Sequence, residues 1–398
     1  METIALENNK RVLSQSATAT LGIPLYLYAT VFASLCVAVG INWDISWHMS
    51  IGRDGLLSAP HLAVYLGAVI AGGFSAYEVF RISFWGNHAD KAKSVKFWGI
   101  FYGSLGSMFC IWGALAMLTS APFDDWWHNT YGLDVTILSP PHTVLALGII
   151  MVQFGAIISV LAVMNQSPGD MAAKKKKVLS AMFAISAGFL LCMVFTLVSE
   201  FLRRGNMHNV SFYQVSALAF PIFLVSISRA YPGKWGATFM AAIYSLFMMV
   251  MAWILPLFPA EPMLGPVLNR ITNFQAFNFP ILLIFPALAI DYIFAKFQNW
   301  NDWKLSILTA FAFVLVLMAF QWPFGDFLQS PYARNWFFAQ ESWYYAMPPD
   351  FEYRYAFQPW RVSSGMALLQ GTAIAIGLGF ISIRLGLAWG NWMKKVQR

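Results

Sequence analysis

The sequence predicts an all-α fold, a polytopic transmembrane helical bundle of about ten spans. Of the 398 residues, 59% are hydrophobic and only 11% are charged, whereas soluble domains carry about 25% charged residues. Apolar runs close to the ~20 residues that cross a bilayer recur along the chain. The basic residues also gather in alternate connections between these runs. The predicted surroundings of the chain are therefore a lipid bilayer.

The distribution of basic residues predicts the orientation of the spans. With the N-terminus inside, the cytoplasmic side holds 18 of the 25 Lys and Arg residues, including every lysine, and the other side holds seven arginines. The positive-inside rule then places both termini in the cytoplasm, in a bacterial or archaeal cytoplasmic membrane. The net charge of +7 is thus a topology signal, and no nucleic-acid partner is expected. The predicted spans are residues 21–43, 61–84, 97–120, 142–164, 178–201, 211–230, 237–257, 277–297, 304–322 and 364–388.

The chain divides into four predicted parts. They are a cytoplasmic tail (1–20), a four-span half (21–164), a Lys-rich cytoplasmic linker (165–177) and a six-span half (178–398). The last part includes a long aromatic outer segment, residues 323–363. The three cysteines each stand alone in an apolar span, so neither a disulfide framework nor a thiolate metal site is expected.

Four of the six histidines fall in two copies of one pattern. In each copy an acid lies four residues before the first histidine and Trp lies one before it. Gly and Asp follow that histidine by four and six residues, and Ser-x-Pro-His closes the copy. The copies comprise Asp44, Trp47, His48, Gly52, Asp54 and Ser58 to His61, and then Asp124, Trp127, His128, Gly132, Asp134 and Ser139 to His142.

The spacing of these residues predicts a metal site. If the first helix continues past residue 44, Asp44 and His48 share a face, and Gly52 can end that helix in the left-handed conformation. Ser58 and Pro60 are typical of a helix start, which turns His61 back towards His48. Imidazole is a common ligand of copper, zinc and iron, and carboxylates complete mixed sites. We therefore expect the two copies to converge on a metal site at the outer face, with the ligands Asp44, His48, His61, Asp124, His128 and His142.

Other residues around the pattern have two interpretations. Arg53, Asp54 and Asp134 are expected to support the ligands, since a carboxylate commonly fixes the tautomer of a bound imidazole; a surface ion pair is the alternative. His208 and Glu200 are further candidates from the next outer loop. Acid and Trp at span ends also serve as interfacial anchors, but this does not account for four histidines, because ionisable groups there are costly unless used or paired.

At these residues the sequence resembles the C subunit of the copper membrane monooxygenases, the particulate methane and ammonia monooxygenases. That subunit carries Asp-x-x-Trp-His, then Arg-Asp, then a histidine at a helix start. A second stretch has Asn, His four residues on, an acid, a Pro and a closing His. The resemblance covers about residues 40–150, with Asp at position 124 where the family has Asn. The matching residues are Asp44, Trp47, His48, Arg53, Asp54 and His61, and then Asp124, His128, Asp134, Pro140 and His142.

The resemblance implies copper ligands at Asp44, His48, His61, His128 and position 124. His142 matches the spacing of the family's closing histidine and is a further candidate ligand. Zinc, iron or haem rank behind copper. An enzyme of this kind would hydroxylate a small apolar substrate with O2, using an external electron donor or a membrane quinol. A non-catalytic copper delivery, storage or sensing protein is the alternative. A haem electron-transfer subunit, ligated by the second histidine of each copy, is another. Partner subunits and a homo-oligomer both remain open.

Overall fold

A computed structural model describes residues 21–132, 139–166 and 171–398. The protein is mostly helical, at 70%, and within the described ranges nine helical segments are long and apolar enough to cross a membrane. A multi-pass helical membrane protein is therefore confirmed. The predicted tail, residues 1–20, and residues 167–170 of the predicted linker lie outside the described residues.

The elements follow the apolar pattern of the sequence closely. The first half contains α1 (Leu25–Ser50), α2 (Ala59–Phe80) with a π-helical turn (Arg81–Trp85), α3 (His88–Ala92), β1 (Val95–Phe97), β2 (Phe101–Gly103), α4 (Leu105–Tyr131) and α5 (Pro140–Gln166). The second half contains α6 (Ala173–Val198), α7 (Val210–Ala219), α8 (Pro221–Ala230), α9 (Gly236–Ile254), α10 (Ile284–Lys296), α11 (Asp302–Gln329) and α12 (Gly365–Met393). The strands β1 and β2 pair antiparallel.

The helix termini gather at two ends of the bundle. At one end, Asn165 of α5 donates to the carbonyl of Met393 in α12, and Arg229 of α8 pairs with Asp302 of α11. We call this the lysine end, because the described lysines lie there, at helix termini or in the connections between helices. The opposite end, where α1 ends and α2 begins, is called the histidine end.

The predicted third span, 97–120, begins too early. Residues 95–103 form a β-hairpin and α4 starts at Leu105. Residues 98–100 join the strands, and two of them, Trp98 and Gly99, have φ values of +48° and +75°, the left-handed conformation that tight hairpin turns use. The predicted outer segment, 323–363, also begins within a helix, because α11 continues to Gln329 despite an internal proline.

The predicted eighth span, 277–297, is only partly helical. Its chain runs without regular structure to Leu283, and α10 has 13 residues. The amide of Ile281 donates to Tyr244 Oη at 3.2 Å, and that of Leu282 donates to Gln321 Oε1 at 2.8 Å. Non-helical backbone is tolerated at membrane depth where protein groups satisfy it. The segment therefore lies inside the bundle between α9 and α11.

Glycines allow the helices of the first half to approach closely. A Cβ atom on Gly113 of α4 would lie 2.7 Å from the carbonyl oxygen of Gly148 in α5, and one on Gly148 would lie 2.8 Å from that of Gly113. A Cβ atom on Gly40 of α1 would lie 2.9 Å from the carbonyl oxygen of Pro60 in α2. Small residues at such crossings let backbones pack directly. The crossings fix the height of α1 against α2 and of α4 against α5.

Two long connections, residues 258–276 and 330–364, form a cap at the histidine end. The cap packs on the last turn of α1 through Tyr345, whose amide donates to the Met49 carbonyl at 3.3 Å. Ser46 Oγ donates to the Gln275 carbonyl at 2.6 Å. On its other side, Arg204 donates to the backbone carbonyl of Gln340 at 3.1 Å, and burial of this guanidinium lowers the pKa of Arg204 to about 10. The cap thus holds the end of α1 in place.

Candidate metal centre

Four side chains of the first copy meet at the histidine end; we call them the first cluster. Asp44 and His48 lie on the last turns of α1, Asp54 lies in the loop to α2, and His61 lies in the first turn of α2. His61 Nε2 is 3.3 Å from Asp44 Oδ1 and 3.2 Å from Asp54 Oδ2. His48 Nε2 is 3.8 Å from Asp44 Oδ2 and 3.5 Å from Asp54 Oδ2. Two imidazoles therefore face two carboxylates.

Three side chains of the second copy, the second cluster, repeat most of these contacts. Asp124 and His128 lie on the last turns of α4, and His142 lies in the first turn of α5. Each imidazole Nε2 is 3.3 Å from one oxygen of the Asp124 carboxylate. The two imidazole ring centres are 6.3 Å apart. In both copies one carboxylate therefore contacts both imidazoles.

Local sequence explains why each helix stops just after its first histidine. The predicted left-handed conformation of Gly52 is present, with φ +86°, and Gly132 ends α4 with φ +92°. Such glycines commonly follow a helix C-terminus, because they carry no Cβ penalty. Pro60 lies in the first turn of α2, and Ser58 occupies the N-cap position without a side-chain cap bond. These signals return the second histidine of each copy to the level of the first.

Backbone carbonyls orient one imidazole of each cluster. His61 Nδ1 is 3.0 Å from the Gly55 carbonyl oxygen, and His128 Nδ1 is 3.3 Å from that of Gly132. A carbonyl only accepts a hydrogen bond, so Nδ1 must carry the proton. In the neutral ring, Nε2 then keeps its lone pair and is free to bind a metal ion. This is the outer hydrogen bond that metal-binding histidines usually make.

The electrostatics of the first cluster favour an ionised Asp54 carboxylate. Burial on its own would raise the pKa of the Asp54 carboxyl group. The hydrogen bond from His61 and the positive charges of His48 and His61 outweigh this effect and lower the pKa of Asp54 to about 2. The first cluster thus presents two carboxylates, whereas the second cluster presents one.

The separations of the ligand atoms fit a metal ion. Two ligands bound at 2.0–2.1 Å to a tetrahedral ion lie about 3.3 Å from each other, and the closest contacts here are 3.2 and 3.3 Å. The buried Oδ1 atoms of Asp44 and Asp124 accept no hydrogen bond of good geometry from the described residues. Without metal, protonated imidazoles would pair with the same carboxylates, and metal binding would release those protons.

Tyr65 of α2 is within electrostatic reach of carboxylates from both clusters. This residue follows His61 by one turn of α2, and their ring centres are 6.1 Å apart. Its hydroxyl group donates to the Leu56 carbonyl at 2.9 Å, and it lies within electrostatic reach of Asp44, Asp54 and Asp124. Sequence reasoning did not single out Tyr65, although its i+4 spacing from His61 predicts a shared face.

The two copies give separate groups rather than a single six-residue group. Within the described ranges, two groups of possible metal ligands have atoms that all lie within 4.8 Å of one another. One comprises Asp44, Asp54 and His61, and the other comprises Asp124, His128 and His142.

The supporting residues predicted from the sequence take different places. Asp54, expected behind the ligands, contacts both imidazoles directly. Arg53 has an exposed side chain, and its carbonyl accepts a bond from Trp47 Nε1 at 2.9 Å. Asp134 lies outside the described residues.

The remaining candidates lie outside both clusters. His208 stacks between Trp322 and Phe357, with ring centres 4.4 and 4.0 Å away, and its Nε2 is 3.4 Å from Asp326 Oδ1. Glu200 is exposed at the end of α6. His208 thus joins α11 to the cap.

Comparisons with protein-family profiles, with curated proteins and with solved structures gave no match to this chain.

Proposed function

We propose that this chain is an integral membrane copper protein related to the C subunit of the copper membrane monooxygenases. One observation carries the proposal: in both clusters, imidazole Nε2 atoms lie 3.2 to 3.8 Å from carboxylate oxygens. In each cluster a backbone carbonyl also orients one imidazole through Nδ1. Each cluster is proposed to hold one ion.

The donor set favours copper over haem. Imidazole and carboxylate together suit copper, zinc and iron, and the motif resemblance selects copper among them. A haem bound by His61 and His142 would require both Nε2 atoms to turn away from carboxylates that now lie within 3.3 Å of them. Leaving those half-buried carboxylates unpaired would be costly. The proposed ligands are Asp44, His48, Asp54 and His61 in the first cluster, and Asp124, His128 and His142 in the second.

The proposed topology has ten crossings, nine helical and one mixed. The tenth crossing is the segment that ends in α10: it leaves the cap after Gln275, which contacts the end of α1, and reaches the lysine end at Lys296. An even number of crossings keeps both termini on the same side. The positive-inside rule makes the lysine end cytoplasmic and the clusters extracytoplasmic, in a bacterial or archaeal cytoplasmic membrane.

The proposed reaction is O2-dependent hydroxylation of a small apolar molecule. One oxygen atom enters a C–H or N–H bond and the other leaves as water, with two electrons and two protons from an external donor or a membrane quinol. A bound copper ion would supply the dioxygen and electron chemistry. The chain's own residues would hold the ion, and the backbone carbonyls of Gly55 and Gly132 bind Nδ1 of His61 and His128, which directs Nε2 of both rings towards the carboxylates. Leu62 and Leu66, beside the first cluster on α2, are half exposed and offer an apolar approach from the bilayer.

Metal analysis of single-cluster variants tests the copper assignment. The purified wild-type protein should bind two copper ions per chain. His61→Ala and His142→Ala should each bind one, with different EPR spectra of the remaining ion, because the two clusters differ in carboxylate number. His88→Ala is the matched control, since its exposed imidazole lies at the lysine end. Unchanged copper content in both cluster variants would remove the proposal, and a Soret band in the purified protein would replace copper with haem.

A non-catalytic copper-handling role is the second candidate. It is favoured by the first cluster, where His48 would add a fourth ligand to Asp44, Asp54 and His61 and fill the position that a catalytic ion keeps open. Oxygen consumption by the copper-loaded protein, with an electron donor and short alkanes, alkenes or ammonia, separates the two roles. Uptake that depends on substrate supports hydroxylation. Full copper occupancy without such uptake, combined with transfer of copper to a chelator or acceptor, supports handling.

A further inference from the structure

The hairpin at the lysine end has two different faces. Residues 86–104 connect α2 to α4, and Lys96 pairs directly with Tyr102 across the strands. Because side chains alternate along a strand, Lys96 and Tyr102 share the outward face. The inward face packs on α2, where a Cβ atom on Gly103 would lie 2.6 Å from Val79 Cγ2. The outward face is therefore directed away from the bundle.

Two ammonium groups converge on this outward face. Lys91 Nζ and Lys96 Nζ each lie 5.5 Å from the centre of the Tyr102 ring. Among the described residues neither ammonium forms an ion pair with a carboxylate, and the nearest acid in sequence, Asp90, caps α3 by accepting from the Asn87 amide. Two like charges are thus held near one ring, which favours a bound anion between them.

The hairpin tip lies against the lipid-facing side of the bundle. Trp98 at the turn is 67% exposed and contacts Trp112 of α4, itself 47% exposed, at a ring distance of 5.9 Å. Ile100 beside it is also exposed. Exposed tryptophans next to apolar helix surfaces are typical of the membrane–water interface. The tip therefore lies at the boundary of the hydrocarbon, with the two ammonium groups at headgroup level.

We propose that Lys91, Lys96 and Tyr102 form a binding site for the phosphate group of an anionic phospholipid. The two ammonium groups and the tyrosine hydroxyl group bind the headgroup, and one acyl chain lies along Trp98 and Trp112. A membrane phosphate is favoured over a free one, because the aromatic tip places the site beside lipid. The site is separate from the clusters and does not depend on the proposed copper chemistry.

Native mass spectrometry of the full chain, released from nanodiscs of mixed phosphatidylcholine and phosphatidylglycerol, tests this site. Wild type should retain phosphatidylglycerol selectively. Lys91→Ala/Lys96→Ala should lose about thirty-fold in that affinity, at roughly five-fold for each lysine near the surface. Lys93→Ala/Lys234→Ala removes the same charge from the same end, away from the Tyr102 ring, and should keep most of the selectivity.

Three results would overturn the proposal. They are equal losses in the two double variants, no loss in either, and displacement of the lipid by inorganic phosphate. A second measurement guards against misfolding of the Lys91→Ala/Lys96→Ala variant. Its melting temperature in pure phosphatidylcholine should match that of wild type, and only the added stability from phosphatidylglycerol should disappear. Lys91→Arg/Lys96→Arg, which keeps both charges, should restore lipid retention.

Discussion

Replacing Asp54 by Asn tests whether the first cluster is tuned for a divalent ion. The Asp54 carboxylate lies 3.2 Å from His61 Nε2 and 3.5 Å from His48 Nε2. Asp54→Asn keeps the shape of the side chain and one ligating oxygen, but removes one of the two negative charges. The affinity for Cu(II) should therefore fall more than the affinity for Cu(I).

The expected size of this difference follows from Coulomb's law. Cu(II) and Cu(I) differ by one unit charge, and even at 4 Å, farther than a ligand oxygen lies from its ion, this charge interacts with a carboxylate by about 4 kcal/mol at an effective dielectric constant of 20. The Asp54 side chain is 15% exposed, and solvent and relaxation reduce the effect, so we expect a remainder of about 1–2 kcal/mol. This corresponds to a roughly 5- to 30-fold selective loss of Cu(II) affinity. The reduction potential should rise by about 40–90 mV.

The measurement needs a background with one cluster. In the His142→Ala variant, competition with chelators specific for Cu(I) and for Cu(II) reports the first cluster alone. Asp125→Asn is the matched control, because it removes an exposed charge beside Asp124 whose carboxylate bonds to Asn129 rather than to a cluster histidine. Equal losses for both oxidation states in Asp54→Asn, or no loss, would refute the charge argument.

Three further predictions concern the scaffold of the clusters. Gly52→Ala should lower copper occupancy of the first cluster and the melting temperature, because the new Cβ atom would collide with Tyr345 Oη at a φ of +86°. Gly55→Ala, with open space around it, should change neither quantity. Gly113→Val should destabilise the protein in detergent by several degrees, because it separates α4 from α5. Gly377→Val, which faces open space in α12, should not. In the metal-free protein, the ionised Asp54 carboxylate, with its low pKa, stabilises the fold above about pH 4, and this contribution is lost as the pH falls towards 2. The melting temperatures of wild type and Asp54→Asn should therefore converge near pH 2.

The parts of the fold that depend on local signals could be predicted from the sequence. The apolar runs gave the long helices. The i, i+4 spacing placed Asp44 and His48 on one face, and the structure joins them at 3.8 Å. The left-handed Gly52 that ends this helix was also expected from its position. Each of these features is set by residues within one or two turns of one another.

The parts that depend on long-range contacts could not be predicted. The irregular segment before α10 packs inside the bundle because Tyr244 and Gln321, distant in sequence, satisfy two of its amides. The direct contact of Asp54 with His61 depends on how the loop folds back over α2, and the spacing alone suggested only a supporting role. The sequence predicts a membrane span from residue 97, where the structure has the hairpin around Trp98, because hydrophobicity does not distinguish a short apolar strand from the start of a helix.

The unequal charge of the two clusters gives the best reason to regard them as two functional sites rather than one. Two carboxylates and neutral imidazoles balance a divalent ion in the first cluster, whereas the single carboxylate of Asp124 balances a monovalent ion in the second. Under the proposed function, the same ligand types would therefore favour Cu(II) in the first cluster and Cu(I) in the second. The family that this sequence resembles has Asn at position 124. The Asp in this chain adds a negative charge, which would shift the preference of the second cluster towards Cu(II) and narrow the charge difference between the two clusters. Since Tyr65 lies within electrostatic reach of the carboxylates of both clusters, a charge change at either cluster should be felt at the Tyr65 hydroxyl group.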